Sequence, residues 1–310
     1  MNIKVKFLLI VISAVLLVSC SKPIKQEEKP KVQEPVQKEL SLSIVTTNKL
    51  LYNMVKDIVG ERHCVNYMFT SKNKLWNFNY TEDSLSNISR KDLFFYWGSG
   101  LEPWSGGFVD KLAQNKVGPV SISRGIKFIE YGRHVKYKEA TFIDNPYFWL
   151  NIDDYKVAML NIKNSVQDKD SKNREFYEKN FAKALKETEE YQKKLKEAAE
   201  KLKEVTFVVD GDELDYFLKY YGFKTIKLYN YGIIPNAKIT EENTKAEAKL
   251  NDLENAVFLY DNEEEIKVNE PIINKYKLKT TNIVVDKDDI RYIDILSNNL
   301  KSLETLISVK

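Results

Sequence analysis

Residues 177–202 read YEKNFAKALKETEEYQKKLKEAAEKL, and this stretch decides how the rest of the chain divides. Tyr177, Phe181, Leu185 with Ala184, Thr188, Tyr191, Leu195, Ala198 and Leu202 recur at spacings of three and four, with Lys and Glu at most other positions. Residues so spaced share one helix face, which predicts a single amphipathic helix of about 33 residues within 169–204, roughly 50 Å long at 1.5 Å per residue. A free coiled coil would carry the same stripe. Here the stripe occurs once, between two regions of different character, and fits a rigid strut better.

N-terminal to it, strand-like and helix-like segments alternate. Residues 42–46 form a short β-rich run, after which Leu50, Leu51, Met54, Val55 and Ile58 fall on one helical face that stops at Gly60. Residues 64–69 read as a second strand, Thr81-Glu82-Asp83 opens a short helix, Leu93-Phe94-Phe95-Tyr96-Trp97 is a buried-type strand, and a helix is expected around 154–166. C-terminal to the stripe, strands are expected at 206–209, 225–228, 256–260 and 282–285. Helices lie between them, one carrying Leu214, Phe217, Leu218 and Tyr221 before Gly222, and the last carrying Ile293, Leu296, Leu300, Leu303 and Ile307. Such alternation predicts an α/β fold: an N-terminal lobe (40–168) and a C-terminal lobe (205–310), each a parallel sheet flanked by helices, joined by the long helix. Ligands of parallel sheets sit beyond the carboxyl ends of the strands, so the cleft between the lobes is the expected binding site.

The first 39 residues differ in kind. Lys4 and Lys6 precede an apolar run over 7–18, too short to span a bilayer comfortably and suited to a secretion signal at 1–19. It ends in Leu17-Val18-Ser19-Cys20, which matches the bacterial lipobox; the expected product is a diacylglyceryl thioether on Cys20 after cleavage before it. Acyl chains contribute roughly 0.8 kcal/mol per buried methylene, enough to hold the protein on a membrane while its body stays in water. Residues 20–39, with Pro23, Pro30 and Pro35 among Lys, Glu and Gln and no aromatic, cannot bury enough apolar surface to order themselves and read as a flexible tether.

The formal charge of +3 falls to +1 when Lys4 and Lys6 leave with the leader, and no basic patch suggests nucleic acid. With Cys20 lipidated, only Cys64 remains, so no intramolecular disulfide is available; its apolar surroundings predict a buried structural thiol. His63, in the turn before the second strand, and His134, in a loop beside Arg133, are the only histidines and are expected at the surface. Gly98-Ser99-Gly100 lacks the Gly-Lys-Ser/Thr of a phosphate loop, and no Ser/His/Asp or Cys/His constellation suggests an enzyme.

Five segments resemble motifs of the zinc- and manganese-type solute-binding proteins of metal ABC transporters, in the right order along residues 42–308. Trp97-Gly98-Ser99-Gly100-Leu101-Glu102-Pro103-Trp104 resembles Gly-x-x-Leu-Glu-x-Trp, and Asn145-Pro146-Tyr147-Phe148-Trp149-Leu150 resembles Asp-Pro-His-x-Trp-Leu. Tyr177 with Asn180, Tyr216 with Tyr221-Gly222, and Tyr292 through Asn299-Leu300 to Leu303 resemble three more. The resemblance implies a lipid-anchored protein on the extracytoplasmic face of a bacterial membrane, expected as a monomer, that passes a small solute or metal ion to an ABC permease and its ATPase.

It also implies a four-ligand metal site, at positions occupied here by Trp76, Tyr147, Gly211 and Asp286. Of these Asp286 alone is a competent ligand: indole has no lone pair to give, and neutral phenol is a poor donor. No resident cofactor is called for, and two repairs of the cleft stay open. Asp210, Asp212, Glu213 and Asp215 crowd the end of the strand at 206–209, and Asp210 or Glu213 with Asp286 and Tyr147 could hold a divalent metal ion through oxygens, unless they only cap the following helix. The run from Asp261 to Glu265 reads in the same way as acid at a solvated helix start. Alternatively Trp76, Phe78, Tyr80, Tyr147 and Phe148 line the cleft for an aromatic or cationic organic ligand, unless they simply fill the vacated volume as core. A surface adhesion role that has given up transport is a further alternative.

Overall fold

The structure is a computed structural model that describes residues 40–98, 100–137, 140–231, 237–287 and 289–308. The leader 1–19, Cys20 and the tether 20–39 lie outside the described residues. The first sheet contains β1 (Ser43–Asn48), β2 (Cys64–Phe69), β3 (Leu93–Tyr96) and β4 (Gly118–Ser121), all parallel, in the order β2-β1-β3-β4. Helix α1 (Lys49–Val59) makes the first crossover. The Asn48 side chain caps it by accepting from the Leu51 N–H, its apolar face is buried, and Gly60 ends it at a φ of 57° that favours glycine. Short helices α2 (Lys72–Trp76) and α3 (Glu82–Ser89) lead from β2 to β3, and α4 (Ser105–Leu112) leads to β4.

An antiparallel hairpin, β5 (Glu130–Tyr137) and β6 (Ala140–Asp144), precedes the helices α5 (Ile152–Lys169) and α6 (Arg174–Lys201). The second sheet contains β7 (Thr206–Asp210), β8 (Lys224–Leu228), β9 (Ala256–Tyr260) and β10 (Lys279–Asn282), parallel in the order β10-β9-β7-β8. It is connected by α7 (Asp215–Tyr221), α8 (Ala237–Ala248) and α9 (Glu263–Tyr276), and the chain closes with α10 (Tyr292–Ser308). In both sheets the strand order reverses beside the first strand, giving switch points at β1/β3 and β7/β9. One apolar cluster takes residues from both sheets and from the helices between them: Ile44 and Phe95, Phe207 and Leu259, Met159, Leu195 and Leu303. Among the described residues no helix is long and apolar enough to cross a membrane.

The α/β organisation therefore follows the expected pattern, with five local corrections. The long helix is 28 residues, about 42 Å, because Asp170 leaves the helical region (φ −131°, ψ 67°) and ends α5 before α6 begins. The last strand is 279–282 and not 282–285. Beyond Asn282 the backbone N–H groups of Ile283, Val284 and Val285 turn to Tyr260 O, Asn299 Oδ1 and Asp261 Oδ1. Cys64 is exposed, since it opens the edge strand β2 and points away from the core, whereas the next residue, Val65, packs against it. His134 belongs to strand β5 and not to a loop.

His63 is buried instead of surface-bound. Its Nδ1 accepts from the Leu42 N–H (3.3 Å), so Nε2 carries the proton and donates to the Tyr177 hydroxyl (2.7 Å), which in turn donates to Asp170 (2.5 Å). The chain thus fastens the entry of β1 to the junction of α5 and α6. Burial holds the imidazole below its ordinary value, a lowering opposed by the Asp170 charge, a hydrogen bond with the Arg62 backbone and the Asp92 charge, and reinforced by the Arg62 charge. A folded-state value below the unfolded one, about 6.5, means that the unfolded chain binds a proton first, so stability is lost as pH falls below that value. Denaturant unfolding at pH 7 and pH 5 should therefore show wild type losing stability relative to His63→Gln on acidification; parallel losses would contradict the assignment.

Candidate functional site

A cavity of about 330 Å³ lies beyond the carboxyl ends of strands from both sheets. Asn48 and Lys49, after β1, and Thr70, Ser71 and Lys72, after β2, form one wall; Asp261, after β9, and Val285, Asp286 and Lys287, after β10, form the other. Tyr147 and Trp149, from the segment joining the hairpin to α5, lie between.

Hydrogen bonds behind and within the lining place these residues. The Tyr147 N–H donates to Asn145 Oδ1 (3.0 Å), and Asn145 Nδ2 donates to the Asp212 carbonyl (2.6 Å). The Tyr216 hydroxyl donates to the Asn145 carbonyl and accepts from the Ile129 N–H. Across the cavity, Val285 is held on both sides: its N–H donates to Asp261 Oδ1 (2.8 Å), and its carbonyl accepts from Trp149 Nε1 (2.9 Å). That clamp sets Asp286 against the cavity. Ser71 caps α2 and sets Lys72 in its first position, and Trp104 Nε1 holds α2 by donating to the Leu75 carbonyl (2.7 Å).

The electrostatics follow from burial. Tyr147 is buried, and desolvation, then the carboxylates of Glu213, Asp261 and Asp286 and a hydrogen bond to Glu213, push its phenol well above the usual range. It is a neutral donor at any physiological pH. The Lys72 ammonium stands 4.7 Å from the Tyr147 ring centre and 3.6 Å from Glu213 Oε1. A cation already occupies the aromatic face. Burial raises the Asp261 carboxyl, against the Val285 N–H bond and Lys72. Among the described residues no three His, Cys, Asp or Glu side chains are grouped to hold a metal ion.

Behind Leu101, Glu102 joins the ends of β1 and β3. It is buried and accepts from the Thr47 hydroxyl (2.6 Å), the Trp97 N–H (3.0 Å) and the Gly98 N–H (3.3 Å), yet desolvation raises its carboxyl to about 7.

Over residues 44–306 the sequence matches the family described as ZnuA, zinc-uptake complex component A, periplasmic. The chain belongs to this family. It is 27% identical over 213 residues to the metal ABC transporter substrate-binding lipoprotein FimA of Streptococcus parasanguinis, a match covering 66% of this chain and 64% of that protein. Against the high-affinity zinc uptake system protein ZnuA of Bacillus subtilis it is 24% identical over 287 residues, 87% of this chain and 88% of the other. The crystal structure of the metal-dependent lipoprotein YcdH from Bacillus subtilis has the same fold, with a TM-score of 0.70 at 23% identity over 86% of this chain and 98% of that one.

In this family member the residues singled out by sequence are only partly brought together. Tyr147 and Asp286 line the cavity, and Glu213 meets Tyr147 and Lys72 at its edge. Gly211 adjoins Glu213: its φ of 86° favours glycine, and a Cβ there would stand 2.9 Å from Glu213 Oε2, so the carboxylate would have to shift. Asp210 is turned elsewhere, accepting from the N–H groups of Asn230 and Tyr231 and from Asn269 Nδ2, and holds the loop after β8. Asp212 and Asp215 pair with Lys227. Trp76 is half-buried, edge-on to Phe142. Phe78 and Tyr80 pack with Trp104 and Phe108, and Phe148 is fully buried against Trp97 and Trp149; none of these three lines the cavity. Sequence reasoning missed Lys72, which has no motif around it, and the wall position of Asp261. It also treated Glu265 as solvated, whereas that carboxyl is buried and raised to about 8, chiefly by desolvation.

Glu102 provides a test. Its folded-state value lies above that of the unfolded chain, so its ionisation destabilises the fold progressively as pH rises through about 7. Glu102→Gln removes the titration, and its stability relative to wild type should improve by up to about 3 kcal/mol between pH 5 and 8. A difference constant over that range, in urea unfolding, would contradict the burial argument.

Proposed function

We propose that the protein is the extracytoplasmic solute-binding lipoprotein of an ABC import system of the metal type, and that it does not hold zinc or manganese in the manner of its named relatives. It is a carrier and not an enzyme. Family membership over most of the chain supports the carrier role, and the cavity supplies the place for cargo. The observation that carries the second half is Tyr147: a buried, neutral phenol whose ring face is already taken by the Lys72 ammonium. Transition-metal sites are built from imidazole, thiolate and carboxylate with open lone pairs, and affinity falls steeply as such ligands are lost. An organic cation stacked on Tyr147 would have to displace Lys72.

Contacts between the two halves favour a modest rocking and not a wide hinge. Asn53 Nδ2 donates to the Ile290 carbonyl (2.9 Å), Arg291 pairs with Asp57 (2.6 Å), and Tyr155 stacks on Tyr292 at 3.4 Å between ring centres. On this reading Cys20 anchors the monomer to the membrane, and residues 20–39 let the body reach the permease and its ATPase.

Two measurements test the proposal. Metal analysis of protein purified without added ions should find zinc and manganese far below one per chain; one firmly held zinc would refute the cargo argument. Cys20→Ser should release the protein from the membrane fraction, and its retention there would refute the anchor.

A further inference from the structure

We propose, on the reading of this cleft as the cargo site, that its occupant is an uncharged organic solute with an apolar body and a carbonyl-type acceptor. The charges in the lining are answered from within the chain. The Lys72 ammonium pairs with Glu213 at 3.6 Å and lies over the Tyr147 ring. Lys49 pairs with Asp289 at 3.5 Å and stands over the rings of Tyr52 and Tyr67, 4.4 and 4.9 Å from their centres. On the other wall Asp261 accepts from the Val285 N–H (2.8 Å) in the fields of Lys72 and Lys287. Asp286 is likewise engaged within the protein, next to Lys287.

Beyond these answered charges the cleft offers apolar surface and a fixed neutral donor. Phe69, Leu75, Leu101 and Trp149 supply the apolar surface. The donor is Asn48, which lines the cavity at the end of β1. Its Oδ1 accepts from the Leu51 N–H (3.0 Å) and from Trp97 Nε1 (3.1 Å), which uses both lone pairs and assigns the oxygen end of the amide. The two N–H donors are then what this side chain can give a solute, and a carbonyl oxygen is their neutral complement. A volume of about 330 Å³ suits a small organic molecule. A charged group entering this space would break an existing pair or stay unpaired where water is partly excluded, and either is costly. An uncharged solute leaves every pair intact.

Thermal unfolding of the full chain in detergent tests this with thymidine, uridine and inosine at about 1 mM, neutral molecules with a flat ring and carbonyl acceptors. Each is compared with its monophosphate and with the analogue carrying an amine in place of the primary hydroxyl, and ZnCl₂ and MnCl₂ are run beside them. At least one nucleoside should raise Tm by roughly 5 °C, as expected at about a hundredfold excess over Kd, and its two charged analogues should not. That shift should be the same in about 50 and about 500 mM NaCl, because no new ion pair forms. Asn48→Asp keeps the oxygen that caps α1 but replaces the donors with a carboxylate; it should abolish the shift while still unfolding cooperatively. A shift retained in that variant, lost in salt, matched by a charged analogue, or absent with every nucleoside would overturn the uncharged solute while leaving the carrier reading intact. A shift from equimolar zinc or manganese would overturn both.

Discussion

The chemistry of the cleft depends on one contact, the Lys72 ammonium over the face of a phenol that cannot ionise. Tyr147 is held neutral by burial and by three neighbouring carboxyl groups, so it offers a proton where a metal ion would require a lone pair. Lys72 then supplies from within the chain the positive charge that Glu213 and Asp261 would otherwise draw from solution. The two side chains together convert a cation-attracting corner into a balanced one. An individual surface ion pair is worth little, and Lys72 with Glu213 is no exception. Its importance lies in where it puts the charge.

The scaffold presents this corner because the carboxyl ends of strands from both sheets meet at the same cavity. β1 and β2 deliver Lys49 and Lys72, β9 and β10 deliver Asp261 and Asp286, and Asn145 and Trp149 tie the intervening segment to the second half. Glu102 performs the corresponding task behind the first wall, where its carboxyl collects one hydroxyl and two backbone N–H donors. A buried carboxyl with its value near 7 is an uncomfortable group, and its retention in the Leu101-Glu102 turn is explained by the donors it satisfies. The apolar cluster shared by both sheets and the linking helices makes the cleft a feature of one body.

Much of this was legible in the sequence. The stripe from Tyr177 to Leu202 and the alternation of apolar runs gave the α/β plan, because helical and strand periodicities are local properties. That Trp76, Tyr147 and Gly211 stand where the family resemblance implies metal ligands was an expectation of the sequence. What failed was long-range. His63 and Cys64 are neighbours whose burial is set by tertiary packing: His63 reaches Tyr177, 114 residues away, while Cys64 opens an edge strand. Asp210 and Glu213 both carry carboxyl groups three residues apart, yet one is consumed by the loop after β8 and the other meets Lys72 and Tyr147. Aromatics near Trp76 looked like a lining, but Phe78 and Tyr80 found partners in Trp104 and Phe108 that no local pattern connects to them. Lys72 was invisible because a lone lysine in a charged sequence carries no signal until its neighbours in space are known.

A crystal structure of the untreated protein, with anomalous data collected at the zinc and manganese edges, tests the central claim most directly. A cleft without an anomalous peak is the predicted result. An anomalous peak coordinated by Asp286 beside Tyr147 would contradict it.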